Sequence, residues 1–198
     1  MVLNEVCFRT LHLDQPWTLA AYRSVGGYRQ WEKILAEKPD PVALIDQIKL
    51  SALRGRGGAG FPTYKKLDAS VEHVIANGAE CEPYLTNDHR VMVEQPTLLL
   101  EGLEILAGLL GAEQTIIGIE LNKPDAIETL RKRIPAGSPV RVEGLRVKYP
   151  QGDSKMLIKS LLDIEVPAKL HAADLGIIMN NVSTIAAIAE FFRTGMPY

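Results

Sequence analysis

The sequence predicts an α/β fold: a Rossmann-like, three-layer, mostly parallel sheet with helices on both faces, preceded by an N-terminal helical segment. Three observations predict it. After residue 70, short apolar runs rich in valine and isoleucine alternate with helical patterns, as strand–helix–strand units do. The runs His73–Ala76 and Leu175–Met179 are nearly continuous, which suits strands covered on both faces. Polar loops follow the strand candidates at Asn77–Glu82, Tyr149–Asp153 and Asn180–Thr184, where a parallel sheet gathers ligands beyond its carboxyl ends.

In chain order, Thr18 to Glu37 reads as helix interrupted at Gly26-Gly27, with Trp17, Tyr22, Tyr28 and Trp31 clustered there as core or a docking face. Asp40-Pro41 supplies an N-cap and a first-turn proline, and Val42, Leu44, Ile45, Ile48 and Leu50 an apolar face running to about Leu53. Pro62 restarts structure as the first residue of a short helix carrying Lys65 and Lys66. A strand at His73 is followed by the loop Asn77–Tyr84, then by a helix from Pro96 to Leu110 that Gly111 ends. Gln114 to Leu121 is the next strand, Lys123-Pro124 opens a helix to about Arg133, and Pro139 to Tyr149 alternates as a strand. A helix at Lys155–Leu162, a strand at Leu175–Met179 and a helix from about Val182 to Arg193 complete the reading. The expected organisation is a helical segment over 1–53 and an α/β domain over 54–198.

Apolar residues make up 46% of 198 residues and charged residues 23%, the balance of an ordinary globular protein. A net charge of −2 argues against a nucleic-acid protein, which needs a clustered basic surface. Two distant cysteines, Cys7 and Cys81, suit a reducing compartment and supply no self-contained iron–sulfur site. No apolar run reaches the about 18 residues of a spanning helix, and Met1–Arg9 lacks a signal-peptide design. A cytoplasmic location is expected, with peripheral attachment to a membrane complex as its variant.

The stretch Gly55-Arg56-Gly57-Gly58-Ala59-Gly60-Phe61-Pro62-Thr63 carries the first chemical signal. Clustered glycines let main chain approach a ligand with no Cβ in the way, and amides leading into a helix start attract anions. The loop lacks the Gly-Lys-Ser/Thr ending of a P-loop and follows a helix instead of a strand, so neither a nucleoside triphosphatase nor a standard dinucleotide fingerprint fits. A phosphate-bearing cofactor does.

Glu80 and Glu82 flank Cys81 and read either as paired carboxylates for acid–base work or a hydroxylated ligand, or as a solvated acidic turn. Cys81 has no base beside it and reads as a small buried residue. His12, His73, His89 and His171 show no metal spacing. Asn180-Asn181 with Thr184 begins a helix; capping accounts for one asparagine, and the remainder suggests polar recognition of a planar heterocycle.

The run Leu53–Thr63 resembles the flavin loop of the NADH-binding, FMN-carrying subunit of respiratory complex I, a family shared with NAD-reducing hydrogenases and formate dehydrogenases. The blocks Asn77-Gly78-Ala79-Glu80-Cys81-Glu82-Pro83-Tyr84, Tyr149-Pro150-Gln151-Gly152 and Asn180-Asn181-Val182 more closely resemble the corresponding subunit of the Rnf ferredoxin–NAD oxidoreductase. The resemblance covers nearly the whole chain. It implies FMN as cofactor, held by Gly55, Arg56, Gly57, Gly58, Lys66, Asn77, Glu80, Tyr149, Gly152, Asn180, Asn181 and Thr184. It implies NADH as substrate, with Phe61 stacking on the adenine and Glu82 and Asp153 on the nicotinamide side. No residue is expected to act as a catalytic acid or base, since the flavin does the chemistry.

The chain departs from the complex I family pattern in two places. Ala79 stands where that pattern has aspartate, and Gly152-Asp153-Ser154 where it has Gly-Glu-Glu, which removes one carboxylate near the nicotinamide. Longer family members continue into a β-grasp segment and a cysteine-rich iron–sulfur segment, neither of which occurs before Tyr198. The expectation is a module that accepts hydride from NADH and passes electrons to iron–sulfur clusters of a partner or a further domain. The alternative is a non-catalytic flavin-binding or scaffold domain in an Rnf-like or a cobalamin or amino-acid reductase complex.

Overall fold

The computed structural model describes residues 10–16, 18–67 and 71–195. Cys7, Trp17 and the opening residues 1–9 lie outside the described residues.

Four strands form one parallel sheet: β1 (His73–Gly78), β2 (Gln114–Glu120), β3 (Val140–Leu145) and β4 (Ile177–Asn181), in spatial order β3-β2-β1-β4. Parallel strands need crossovers, and these are α4 (Asn87–Glu94) with α5 (Pro96–Leu110), α6 (Pro124–Arg133) and α7 (Ser154–Leu162). From β1 to β3 the chain moves outward in one direction, so right-handed crossovers place α5 and α6 on one face. Val74, Ala76, Ile117, Ile119, Val142 and Ile178 are buried there, in one core with those helices. The chain then returns past β1 to β4, which reverses the direction and sends α7 to the opposite face. On that face Ile75, Ile177 and Met179 meet Leu157 and Ile158. The alternation along each strand is therefore a partition between two cores.

Helix α8 (Val182–Thr194) follows β4 and lies against α5. Their contact is close enough that a Cβ on Gly102 of α5 would stand 2.3 Å from the carbonyl oxygen of Ile185.

Among the described residues, three short α-helices precede the sheet: α1 (Leu19–Ser24), α2 (Arg29–Glu37) and α3 (Pro41–Leu50). Thr18 and Asp40 cap α1 and α3 as N-cap residues should, accepting from Ala21 N at 3.2 Å and Val42 N at 3.0 Å. Ile34, Leu44, Ile48 and Leu53 enter the same core as the sheet. The aromatic cluster is structural. Tyr22 and Tyr28 meet edge to face at 5.2 Å, and the Arg193 guanidinium lies 4.9 Å and 4.7 Å from their ring centroids. Arg193 is itself paired with the buried Glu101, at 2.8 Å from Nε. Burial pushes the Tyr22 hydroxyl up to about 12.

Three differences from the sequence-based expectation have local causes. Helix α4 falls between the loop ending at Tyr84 and Pro96, where no element was expected: Asn87-Asp88-His89-Arg90 shows no apolar period, and the helix turns sharply at Gln95 into the proline that begins α5. Strand β3 stops at Leu145, short of Tyr149, because Leu145 is the last residue with a partner on β2. The expected start of β4 at Leu175 belongs to a 3₁₀ turn, Ala172–Leu175, which Gly176 closes at φ 69°.

Candidate functional site

The chain turns back between β1 and β4, so their loops diverge and leave a crevice beyond the carboxyl ends of the two strands. Asn77 and Asn181 are register partners at its floor. The glycine loop lies across it. Gly55 N donates to Phe61 O at 2.8 Å and Thr63 N to Leu53 O at 3.0 Å, closing the loop on itself. Arg54 Nη1 donates to Gly60 O at 3.0 Å.

From sequence, the loop is expected at the start of its own helix. Instead it runs into a four-residue 3₁₀ turn, Thr63–Lys66, with Pro62 at the capping position. The helix start beside it belongs to α8, from the far end of the chain. Arg56 N donates to Thr184 Oγ1 at 2.6 Å, and a Cβ on Gly57 would stand 3.2 Å from Asn181 Cβ. Glycine at 57 permits that approach.

The crevice holds a cavity of about 540 Å³. Gly55, Gly57, Gly60 and Phe61 of the glycine loop line it; Asn77, Met179 and Asn180 lie at the strand ends; Ser154 and the turn from His171 to Asp174 complete the lining. Lys65 and Lys66 make it cationic. Lys66 Nζ donates to Met179 O at 2.6 Å and sits 5.7 Å from the Phe61 ring centroid. Burial holds its pKa below the ordinary lysine value. Two polar groups on the lining are buried and unpartnered: Asn180 Nδ2, on a residue 2% exposed, and Thr63 Oγ1, on a residue 1% exposed. Such groups cost stability unless a ligand or water meets them.

Behind the cavity, the loops after β1 and β3 are tied together. Asn77 Nδ2 donates to Gly152 O at 2.9 Å while its Oδ1 accepts from Ala79 N at 3.0 Å. Gly152 N points at Cys81 Sγ at 2.9 Å, and a Cβ on Gly152 would meet Ala79 O at 2.7 Å. Cys81 thus serves as a small acceptor in a tight loop crossing. Glu80 Oε1 accepts from Asp88 N at 3.0 Å, leaving Oε2 buried without a partner.

Of the residues singled out from sequence, the structure gathers Gly55, Gly57, Phe61, Lys66, Asn77, Gly152 and the Asn180-Asn181-Thr184 segment around one cavity. Others stand apart. Arg56 lines a separate groove with Asn87, Val91 and Ser183. Gly58, at φ 95°, is at the exposed tip of the loop. Glu80 faces α4, whereas Glu82 and Tyr149 are exposed and outside the lining. Asp153 caps α7, accepting from Lys155 N at 3.0 Å and Met156 N at 3.2 Å. Sequence reasoning missed Thr63, Asp88 and the turn from His171 to Asp174. Asn87 and Asp88 are residue types common at helix starts, but with no apolar residue in the turn they open they did not mark one; the other two carried no signal.

The family described as the Nuo51 FMN-binding domain matches residues 48–190. A subunit of the Na(+)-translocating ferredoxin:NAD(+) oxidoreductase complex of Acetobacterium woodii is 44% identical over 165 residues, covering 81% of this chain and 37% of that protein. A subunit of the ion-translocating oxidoreductase complex of Edwardsiella ictaluri is 42% identical over 160 residues, covering 79% of this chain and 20% of that protein. Among solved structures, an NAD+-reducing [NiFe]-hydrogenase in the H2-reduced state aligns with a TM-score of 0.67 at 25% identity, over 78% of this chain and 31% of that one. The chain thus spans 20% and 37% of the length of these two relatives.

Proposed function

The chain belongs to the Nuo51 FMN-binding domain family, and on that premise we propose that it is the flavin module of an NADH-linked electron-transfer complex. It takes hydride from NADH and hands electrons to iron–sulfur clusters of a partner or a further domain. The unit that holds flavin is 54–198, and the described helices α2 and α3 of the segment before it contribute Ile34, Leu44 and Ile48 to its core.

The observation that carries this reading is the cationic cavity at the β1–β4 crevice, with Asn180 Nδ2 and Thr63 Oγ1 buried and unpartnered on its lining. These residues fit FMN. The volume lies within the range of about 300–1,000 Å³ typical of cofactor sites. Gly55 and Gly57 present backbone to the cavity, and the start of α8 is a favourable place for anionic groups. We assign Lys66, Asn180, Asn77 and the glycine loop to holding the flavin, with Lys66 offsetting phosphate charge and Asn180 donating to a ligand acceptor. When bound, FMN supplies two-electron acceptance from a nicotinamide and one-electron release.

The chain's own residues orient what binds. Phe61, 46% exposed at the cavity, offers a ring face for an adenine. The turn from His171 to Asp174 also lines the cavity. Relatives named as parts of ferredoxin:NAD(+) oxidoreductase complexes support the electron-transfer setting. Among the described residues no helix is long and apolar enough to cross a membrane, and we propose peripheral attachment on the cytoplasmic side of a larger complex.

One observation favours the second reading, a flavin-binding domain without NADH turnover. Asp153 is committed to capping α7 and Glu82 is outside the lining, so the carboxylates expected beside the nicotinamide are not at the cavity. An anaerobic titration separates the readings. FMN-loaded protein should bleach with NADH; bleaching only with dithionite selects the second reading, and protein that stays colourless with excess FMN rejects both.

A further inference from the structure

Asp88 is 7% exposed, and three uncharged donors among the described residues hydrogen-bond its carboxylate. Oδ2 accepts from Asn181 Nδ2 at 2.6 Å, and Oδ1 from Ser183 Oγ at 2.6 Å and Asn87 Nδ2 at 3.2 Å. A buried carboxylate is costly unless its lone pairs are met. Here the compensation comes from these donors and from two helix starts. Asp88 is in the first turn of α4, and Asn181 and Ser183 are the N-cap and second residue of α8, so both helix dipoles favour negative charge at this point.

The arrangement fixes more than itself. Asn181 Oδ1 accepts from Ser183 N at 2.9 Å only when its amide nitrogen turns the other way. Asp88, an acceptor at both oxygens, is what meets that nitrogen. Asn181 Cβ in turn abuts Gly57, and Thr184 one turn on holds Arg56 N. The Asp88 N–H is held by Glu80, which joins the β1 loop to the same knot. Asp88 itself does not line the cavity.

We propose that Asp88 is the positioning residue of the flavin site: it orients Asn181 and the first turn of α8, and through them seats the glycine loop. This rests on the flavin reading above.

The test is FMN affinity, measured by flavin-fluorescence titration of FMN-free protein. Asp88→Ala should weaken binding about tenfold or more, the scale seen when a supporting partner of a ligand-holding residue is lost. Asp88→Asn should stay within about threefold, because the amide oxygen can take the place of Oδ2 before Asn181 while the Ser183 hydroxyl turns to accept from the new amide nitrogen and the exposed Asn87 amide turns away. In an Asn181→Ala background, Asp88→Ala should cost less than about threefold more, since the two act as one unit. Additive losses, or an Asp88→Asn as weak as Asp88→Ala, overturn the proposal. If Asp88→Ala does not fold, Asp88→Asn combined with Ser183→Ala replaces it and should lose the rescue; retained affinity in that variant counts against the proposal. An arm without FMN separates this idea from the flavin reading: exchange of the Asn181 side-chain amide protons, followed by NMR, should quicken in Asp88→Ala, or in the Asp88→Asn, Ser183→Ala variant. Unchanged exchange overturns the positioning role, whereas a wild-type protein that takes no FMN overturns the flavin reading alone.

Discussion

The backbone N–H of Arg56 donates to the Thr184 hydroxyl at 2.6 Å, joining the glycine loop to the first turn of α8 across 128 residues of sequence. Thr184 is 1% exposed, so this bond has no water to replace it. Thr184→Val keeps the shape and removes the acceptor. It should cost about 1–3 kcal/mol in urea unfolding and weaken FMN, whereas Thr184→Ser should keep both near wild type.

The two asparagines at the end of β4 have different duties. Asn181 spends both ends of its amide inside the protein, on Asp88 and on Ser183 N. Asn180 Nδ2 is buried and unpartnered on the cavity lining. Asn180→Ala should therefore weaken FMN about tenfold with little loss of FMN-free stability, while Asn181→Ala should lower both. Thermal unfolding of FMN-free protein beside FMN titration checks this.

Lys66 should make flavin affinity depend on pH. Burial lowers its pKa below the ordinary 10.5, so the ammonium is disfavoured in the FMN-free protein. A bound phosphate, dianionic above about pH 6, favours the ammonium. FMN affinity should fall as pH rises through the folded-state pKa of Lys66, below 10.5, and Lys66→Met should bind more weakly at pH 7 with a flatter profile. The sign for folding is opposite. With the folded pKa below the unfolded one, the buried ammonium costs stability at low pH, and FMN-free protein should gain stability as pH rises through the same window.

Arg193 and Glu101 are a buried pair, with side chains 9% and 8% exposed. Arg193→Met should cost about 3–5 kcal/mol, because Glu101 is left buried and unpaired. Combining it with Glu101→Leu should recover most of that in chemical denaturation. Neither residue lines the cavity, so FMN affinity of folded protein should change little.

Much of the fold was legible because its signals are local. Val74-Ile75-Ala76 and Ile177-Ile178-Met179 are buried on both faces and read as strands; Pro96 and Gly111 bracket α5. Helix α4 was not legible, since Asn87-Asp88-His89-Arg90 puts no apolar residue in the first turn and its burial comes from docking on α6 and α8. At the site, the glycine loop and the strand-end loops stand out from residue types alone. The residues that complete it do not: Thr63 is an ordinary threonine until Leu53 and the crevice enclose it.

The sequence by itself determined the parallel α/β architecture and the flavin family, because periodicity, loop composition and motif order are written along the chain. The tertiary structure decided which polar atoms are spent and which are free. Asp153 is taken by the α7 cap, Asn181 by an aspartate 93 residues away, and Asn180 is left facing the cavity. Hydrogen bonds between distant segments depend on how strands and helices meet in space, and local sequence carries no record of that.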